Sequence, residues 1–247
     1  MRDAVGLRSE VLDRMFAVHR SATIDCSSVR TTFAVTRTQK AASVPTYWRR
    51  ATRELTERDP VLAGLIPQHR ALIVGMRGDA FQTLARAIVG QQISVKAAQS
   101  VWERLVTAAG VIAPEGLVRL DHSTLRGAGL SGRKAEYIQD LARRFHERTI
   151  DAAALPALSD EAIIEQLVSV RGIGRWTAEM FLIFNLGRPD VLPVGDLGLQ
   201  RAMSLRYNRG RSLTERRMQS IGRAWAPWRS VATWYLWRSL EPLPAEN

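Results

Sequence analysis

Residues 167–203 read LVSVRGIGRWTAEMFLIFNLGRPDVLPVGDLGLQRAM. Apolar residues Ile163, Ile164, Leu167, Val168 and Val170 recur at helical spacing and run into Arg171-Gly172-Ile173-Gly174. A second helical segment, 175–186, follows at once. Two helices joined by a two-glycine turn read as a helix–hairpin–helix. Glycine tolerates positive φ and leaves neighbouring backbone N–H groups uncovered. Those groups, with the N-terminal end of the second helix, suit one phosphate. Further on comes Pro193-Val194-Gly195-Asp196, where a new helix is expected to begin. Asp196 then stands at that helix's N-terminus, close to the hairpin. One element holds a phosphate and the other presents a carboxylate.

Four ordered stretches carry a resemblance: IVGQQIS at 88–94, GIGRWTAEMFLIF at 172–184, PVGDLGL at 193–199 and WAPWRS at 225–230. Together they resemble the helix–hairpin–helix DNA glycosylase superfamily, most closely its 3-methyladenine DNA glycosylase II branch. The resemblance spans about residues 44–240. It implies an all-α fold of two helical lobes with a DNA- and base-binding cleft between them. One lobe is expected over about 80–185, and the second joins 44–79 to 186–240. Residues 1–43 read as an N-terminal extension and 241–247 as a tail.

Composition narrows the partner. The chain has 35 Lys and Arg against 24 Asp and Glu, a net charge of +11. Such an excess points to a polyanion, nucleic acid before an anionic membrane. Cys26 is the only cysteine, which excludes an intramolecular disulfide, a four-cysteine Fe–S cluster and a Cys-rich zinc site. His19, His69, His122 and His146 are scattered and suggest no metal site. There is no HExxH, P-loop or nucleophile elbow. The first residues lack an apolar signal core, and no run reaches the ~18 apolar residues of a membrane span. A soluble, monomeric, cytoplasmic protein is expected, at the nucleoid if the source is bacterial.

Elsewhere the spacing predicts about ten helices with short connections. Residues 7–18 read as a short helix, 29–35 as a strand and 71–76 as extended or irregular. Asp79, Ser94, Asp121, Ser159 or Asp160, and Thr214 read as helix caps. Residues 61–65 read as a turn, and 133–147 as a long helix. Pro227 is expected to open the last helix, 228–240.

The resemblance assigns roles residue by residue. Asp196 matches the family's catalytic aspartate, which stabilises positive charge on the deoxyribose as the N-glycosidic bond breaks. A plain N-cap would also explain an aspartate here. Trp176 stands where lyase-competent relatives carry the lysine that forms a Schiff base. An indole cannot do so, which implies a monofunctional enzyme that leaves the strand uncut. Its ring instead offers a face to a cationic alkylated purine, worth ~0.5–2 kcal/mol. Trp237 matches a second pocket wall, and Tyr235 lies beside it in sequence. Met180 replaces an aromatic of many relatives, which leaves the shape of the pocket open. Gln91 and Gln92, followed by Ser94, match a segment beside DNA and the lesion pocket. Gly172, Ile173 and Gly174 form the phosphate clamp, with Arg171, Arg175 and Thr177 around it. Relatives also hold a monovalent cation there, at backbone carbonyls corresponding to Arg171 and Ile173; no other cofactor is implied. Arg133 and Lys134 are further phosphate candidates. Leu130 is a candidate for the apolar wedge that fills the gap left by a flipped base.

The implied function is hydrolysis of alkylated purines of the 3-methyladenine type from duplex DNA, at the start of base excision repair. Two alternatives stand beside it: a non-catalytic hairpin DNA-binding protein, and a sister glycosylase for oxidised or mismatched bases.

Overall fold

Eight helices start at an Asp, Ser or Thr whose side chain accepts a hydrogen bond from their own first turn. The structure is a computed structural model that describes residues 45–69 and 78–241. It contains α1 (Trp48–Arg58), α2 (Pro60–Leu65), α3 (Ala80–Gly90), α4 (Val95–Ala109), α5 (Pro114–Val118) and α6 (His122–Gly127). These are followed by α7 (Gly132–His146), α8 (Asp160–Val168), α9 (Arg175–Phe184), α10 (Leu197–Tyr207), α11 (Glu215–Gly222) and α12 (Arg229–Arg238). No strand occurs among the described residues. The caps are Asp59, Asp79, Ser94, Asp121, Ser131, Ser159, Asp196 and Thr214. Each such cap contributes ~1 kcal/mol. Helix α9 begins instead at Gly174, with no side-chain cap.

Helix α7 is the platform of one group of helices. Its Ala135, Ile138, Leu141, Ala142 and Phe145 are buried, and α3, α5 and α6 pack on it. Phe81 of α3 meets Phe145 edge-on at 5.4 Å. The helix pair α8–α9 packs together, and α9 also rests on α3. A second group is centred on α12, which is buried from Ser230 to Arg238. A helix buried on every face sits inside its group; α1, α2 and α10 surround it. One hydrophobic core runs through both groups.

Asp59 ties the start of the chain to its end. Its Oδ1 caps α2 through the N–H groups of Val61 and Leu62. Its Oδ2 accepts from Tyr207 OH at 2.9 Å and Trp225 Nε1 at 2.8 Å. Burial, the Asp59 charge and that hydrogen bond push the Tyr207 phenol far above its ordinary pKa. Trp48 Nε1 reaches Tyr235 OH at 3.2 Å, a second tie between α1 and α12.

Three expectations change. Residues 60–65 are helical rather than a turn, because Pro60 sits in the first turn behind the Asp59 cap. Pro227 does not open α12; it follows a cis peptide bond, and the helix starts at Arg229. The helices number twelve among the described residues rather than about ten. The expected helix at 7–18, strand at 29–35, irregular stretch at 71–76 and most of the tail at 241–247 lie outside the described residues. No helix among those described is long and apolar enough to cross a membrane.

Asp59→Ala removes four hydrogen bonds and leaves buried donors unpaired. It is expected to lower unfolding free energy by ~2–4 kcal/mol in urea titration. A loss under ~0.5 kcal/mol, the scale of an ordinary surface change, would show that the tie is not needed.

Candidate active site and nucleic-acid interface

Three N–H groups converge on the Asp196 carboxylate. As the cap of α10, its Oδ1 accepts from Leu199 N at 2.6 Å. The same oxygen accepts from Trp237 Nε1 at 2.8 Å, and Oδ2 accepts from Trp176 Nε1 at 2.8 Å. Three helices thus meet at one carboxylate: α9 through Trp176, α10 through the cap and α12 through Trp237. Asp196 is 7% exposed. Trp237 is fixed, 3% exposed and stacked on Phe184 at 6.0 Å. Gly198 keeps the space beside them clear: a Cβ there would come within 3.1 Å of Asp196 Oδ1 and 3.3 Å of Trp237 Cδ1. Trp176 is only partly buried.

The hairpin rests on α7. Gly172 has φ +82°, and a Cβ on it would collide with the ring of Tyr137. Only glycine lets the chain cross that ring in this conformation. Asp140 of α7 accepts the backbone N–H of Arg171 at 3.0 Å. Arg144 donates to Ser169 Oγ at 2.9 Å and to its carbonyl at 2.7 Å. Gln91 Nε2 donates to the Gly172 carbonyl at 2.8 Å. Lys134 Nζ in turn holds the Val89 and Gln91 carbonyls at 2.8 and 2.6 Å. Ile173 is buried, whereas Gly174 is exposed at the uncapped start of α9. That helix end offers outward N–H groups and a positive dipole end, the features that bind a phosphate.

A groove of about 780 Å³ runs beside this assembly. Trp176, Glu179 and Gly195 line it, with Gln219 of α11 and Arg223 just after that helix. Asp196 does not line it, but its neighbours Gly195 and Trp176 do. Arg175 grips Glu161 through two bonds, 2.8 and 2.9 Å, and Glu179 through one of 3.2 Å. The Glu161 bond raises the Arg175 pKa. Burial pushes the Glu179 carboxyl up, against the pull of Arg175, and the Asp196 charge adds to the rise.

A family model described as HhH-GPD superfamily base excision DNA repair protein matches residues 85–227, more than half the chain. The chain belongs to this family. Among curated relatives, a Bacillus subtilis protein provisionally named DNA-3-methyladenine glycosylase YfjP is 33% identical over 188 residues. That match covers 73% of this chain and 66% of the relative, just under two thirds. DNA-3-methyladenine glycosylase 1 of Schizosaccharomyces pombe is 33% identical over 168 residues, 64% of this chain and 72% of the relative. The crystal structure of a DNA-3-methyladenine glycosidase from Bacillus halodurans aligns with a TM-score of 0.72 at 36% identity. It covers 77% of this chain and 88% of that one.

Within this HhH-GPD fold, several residues expected at the site lie elsewhere. Met180 is 0% exposed, Tyr235 is buried with its hydroxyl on Trp48, and Trp237 is 3% exposed and outside the groove lining. All three are core rather than open pocket wall, Trp237 serving to hold Asp196. Thr177 is buried on α9. Lys134 is spent on the carbonyls at the end of α3, and burial lowers its pKa. It supports the hairpin instead of contacting phosphate. Arg175, by contrast, lines the groove and is exposed, paired with the equally exposed Glu161 and with Glu179. Leu130 is 3% exposed and packs into the core beside the Ser131 cap, so it does not project as a wedge. Ser94 serves as the cap of α4. Gln91 faces the hairpin. Gln92, next to it, is exposed with φ +57°, an uncommon backbone for a residue other than glycine. Arg133 and Arg171 are exposed, the latter in a 3.4 Å surface pair with Glu136.

The residues missed were those under the hairpin: Tyr137, Asp140 and Arg144. Helical spacing marked the apolar face of α7 but gave no sign of what its flanking polar residues hold. An aspartate one place from buried Leu141 was the available signal.

Two outcomes follow from the platform. Gly172→Ala should weaken duplex binding at least ~10-fold, about 1.4 kcal/mol, and Tyr137→Ala in the same chain should recover part of it. Unchanged binding by Gly172→Ala would contradict the crossing. For Asp140, burial raises the pKa, but the Arg171 N–H, the Arg144 charge and the arginine hydrogen bonds outweigh it, so the net shift is downward. Its contribution is therefore complete above the ordinary ~3.9 of aspartate and is lost as pH falls through the depressed value. Carboxyl NMR titration should place Asp140 below that ordinary value; a value above it would contradict the arrangement.

Proposed function

We propose that this chain is a monofunctional DNA glycosylase that hydrolyses alkylated purines of the 3-methyladenine type from duplex DNA, opening base excision repair. One observation carries the reading: a carboxylate oriented by two indole N–H groups stands next to a hairpin whose following helix is left uncapped. The names of the relatives support the same activity. The uncapped end of α9 would take one backbone phosphate. A damaged nucleotide turned out of the stack would then reach Asp196 once the partly buried Trp176 releases Oδ2. Trp237, fixed against Phe184, would keep hold of Oδ1.

The chemistry follows from the charges. The C1′–N bond breaks with its electron pair leaving on the base. An alkylated purine is already cationic, so it departs as a neutral molecule without needing an acid. The positive charge that grows on the sugar faces the Asp196 carboxylate. Water then adds at C1′ and loses a proton, leaving an abasic site. No amine stands at position 176 to form a Schiff base. Any monovalent cation at the hairpin would be held by the carbonyls of Arg171 and Ile173, since that of Gly172 is taken by Gln91. It would add positive charge behind the phosphate.

Asp196→Asn should fold and bind DNA but lose excision from alkylated duplex by ~100- to 1,000-fold, the scale seen when one stabilising group is removed. Its Oδ1 still accepts from Leu199 N and Trp237 Nε1, but an amide nitrogen in place of Oδ2 cannot accept from Trp176 Nε1. A modest loss of stability, ~1 kcal/mol, is therefore expected. Wild-type-like release of 3-methyladenine by this variant would overturn the assignment. Borohydride should trap no enzyme–DNA adduct; a robust adduct would contradict the monofunctional reading. A panel of alkylated, oxidised and mismatched duplexes separates this reading from a sister glycosylase.

A further inference from the structure

Some arginines of this protein pair with acids and others do not, and the unpaired ones are densest in one segment. Arg50, Arg58, Arg143, Arg144, Arg171, Arg175, Arg188, Arg229 and Arg238 each pair with a carboxylate. Residues 201–223 carry seven more, at 201, 206, 209, 211, 216, 217 and 223, against the single acid Glu215. All seven are exposed, and among the described residues none of them makes an ion pair with an acid. Arg206 turns to the Ser239 carbonyl at 2.9 Å, and Arg223 to Ser220 Oγ at 3.0 Å. This short segment thus holds more than half of the net charge of +11.

The segment is also shaped. A concavity of about 360 Å³ on α11 is lined by Arg216, Arg217 and Arg223 with the hydroxyls of Thr214 and Ser220. No acid and no apolar side chain lines it. Guanidinium groups and hydroxyls are the donor set for phosphate oxygens. A protein interface would be expected to centre on aromatic anchors, and a membrane-surface helix on an apolar face; the concavity has neither. Arg223 also lines the groove that reaches Trp176 and Gly195, so the concavity adjoins the site itself.

We infer that the α11 face, where Arg216, Arg217 and Arg223 meet, is a second DNA-backbone site, separate from the hairpin, which takes phosphodiesters outside the hairpin's own contact. The inference rests on the proposed DNA reading. Unpaired like charges repel in the free protein, and a phosphate strand laid across them removes that repulsion while releasing its own counterions. The hairpin supplies the phosphate next to the lesion, and the arginine face lengthens the grip on the duplex.

The test is equilibrium binding of Arg216→Ala/Arg217→Ala to a long undamaged duplex across a salt series, beside single-turnover excision at saturating enzyme. The slope of log K against log salt should become shallower by about 1–2, close to 0.9 per phosphate lost. Affinity should fall ~10-fold at low salt, while the saturated excision rate stays within about twofold of wild type. Arg216→Lys/Arg217→Lys should keep most of the slope, which separates lost charge from lost folding. An unchanged slope and affinity for the alanine variant would overturn the inference, even if an acidic protein were found to bind the face. Failure of wild type to excise, with the slope still reduced, would sink the glycosylase reading and leave this one standing.

Discussion

A carboxylate held by three N–H donors from three helices is the constraint on which the rest of the site depends. Each bond to an ionised acceptor is stronger than a neutral one, and together they leave Asp196 little freedom. The carboxylate is 7% exposed, and its charge is felt by Glu179 on α9. Such a group costs little to reorganise as positive charge appears in front of it. The same arrangement links α9, α10 and α12 at one point in the free protein.

Asp59 shows what this local chemistry does without the surroundings. It too caps a helix and accepts an indole N–H, from Trp225. Yet its other partner is the Tyr207 hydroxyl of α10, and neither residue lines the groove beside Trp176. Two aspartates with nearly the same first contacts therefore play different parts. What separates them is the hairpin beside Asp196 and the partly buried Trp176 that borders the groove.

Much of this was legible in the chain. The hairpin glycines, the Asp196 cap and Trp176 stand close in sequence, so spacing alone brings them together. Six of the eight side-chain caps are legible as Asp, Ser and Thr at apolar-run boundaries, while Asp59 and Ser131 are not. Helix α9, one of four without such a cap, starts at Gly174, where a phosphate would dock. Contacts between distant segments were not legible. Nothing local says that Tyr137 lies under Gly172, that Asp140 holds the Arg171 N–H, or that Gln91 turns inward. Charge was also a poor guide to role: Lys134 read as a phosphate ligand but holds the Val89 and Gln91 carbonyls, and Arg175, though exposed, pairs with Glu161 and Glu179. Aromatics near the C-terminus read as a pocket, yet α12 is buried all round, which fixes Trp237 and withdraws Tyr235.

The most direct measurement is a crystal structure of this chain bound to a duplex carrying a stable abasic-site analogue. A backbone phosphate should lie within hydrogen-bond distance of the first N–H groups of α9. Asp196 should face the sugar with Trp237 still on Oδ1 and Trp176 displaced from Oδ2. A duplex bound on another face, or a sugar seated away from Asp196 with both indole bonds intact, would contradict the account.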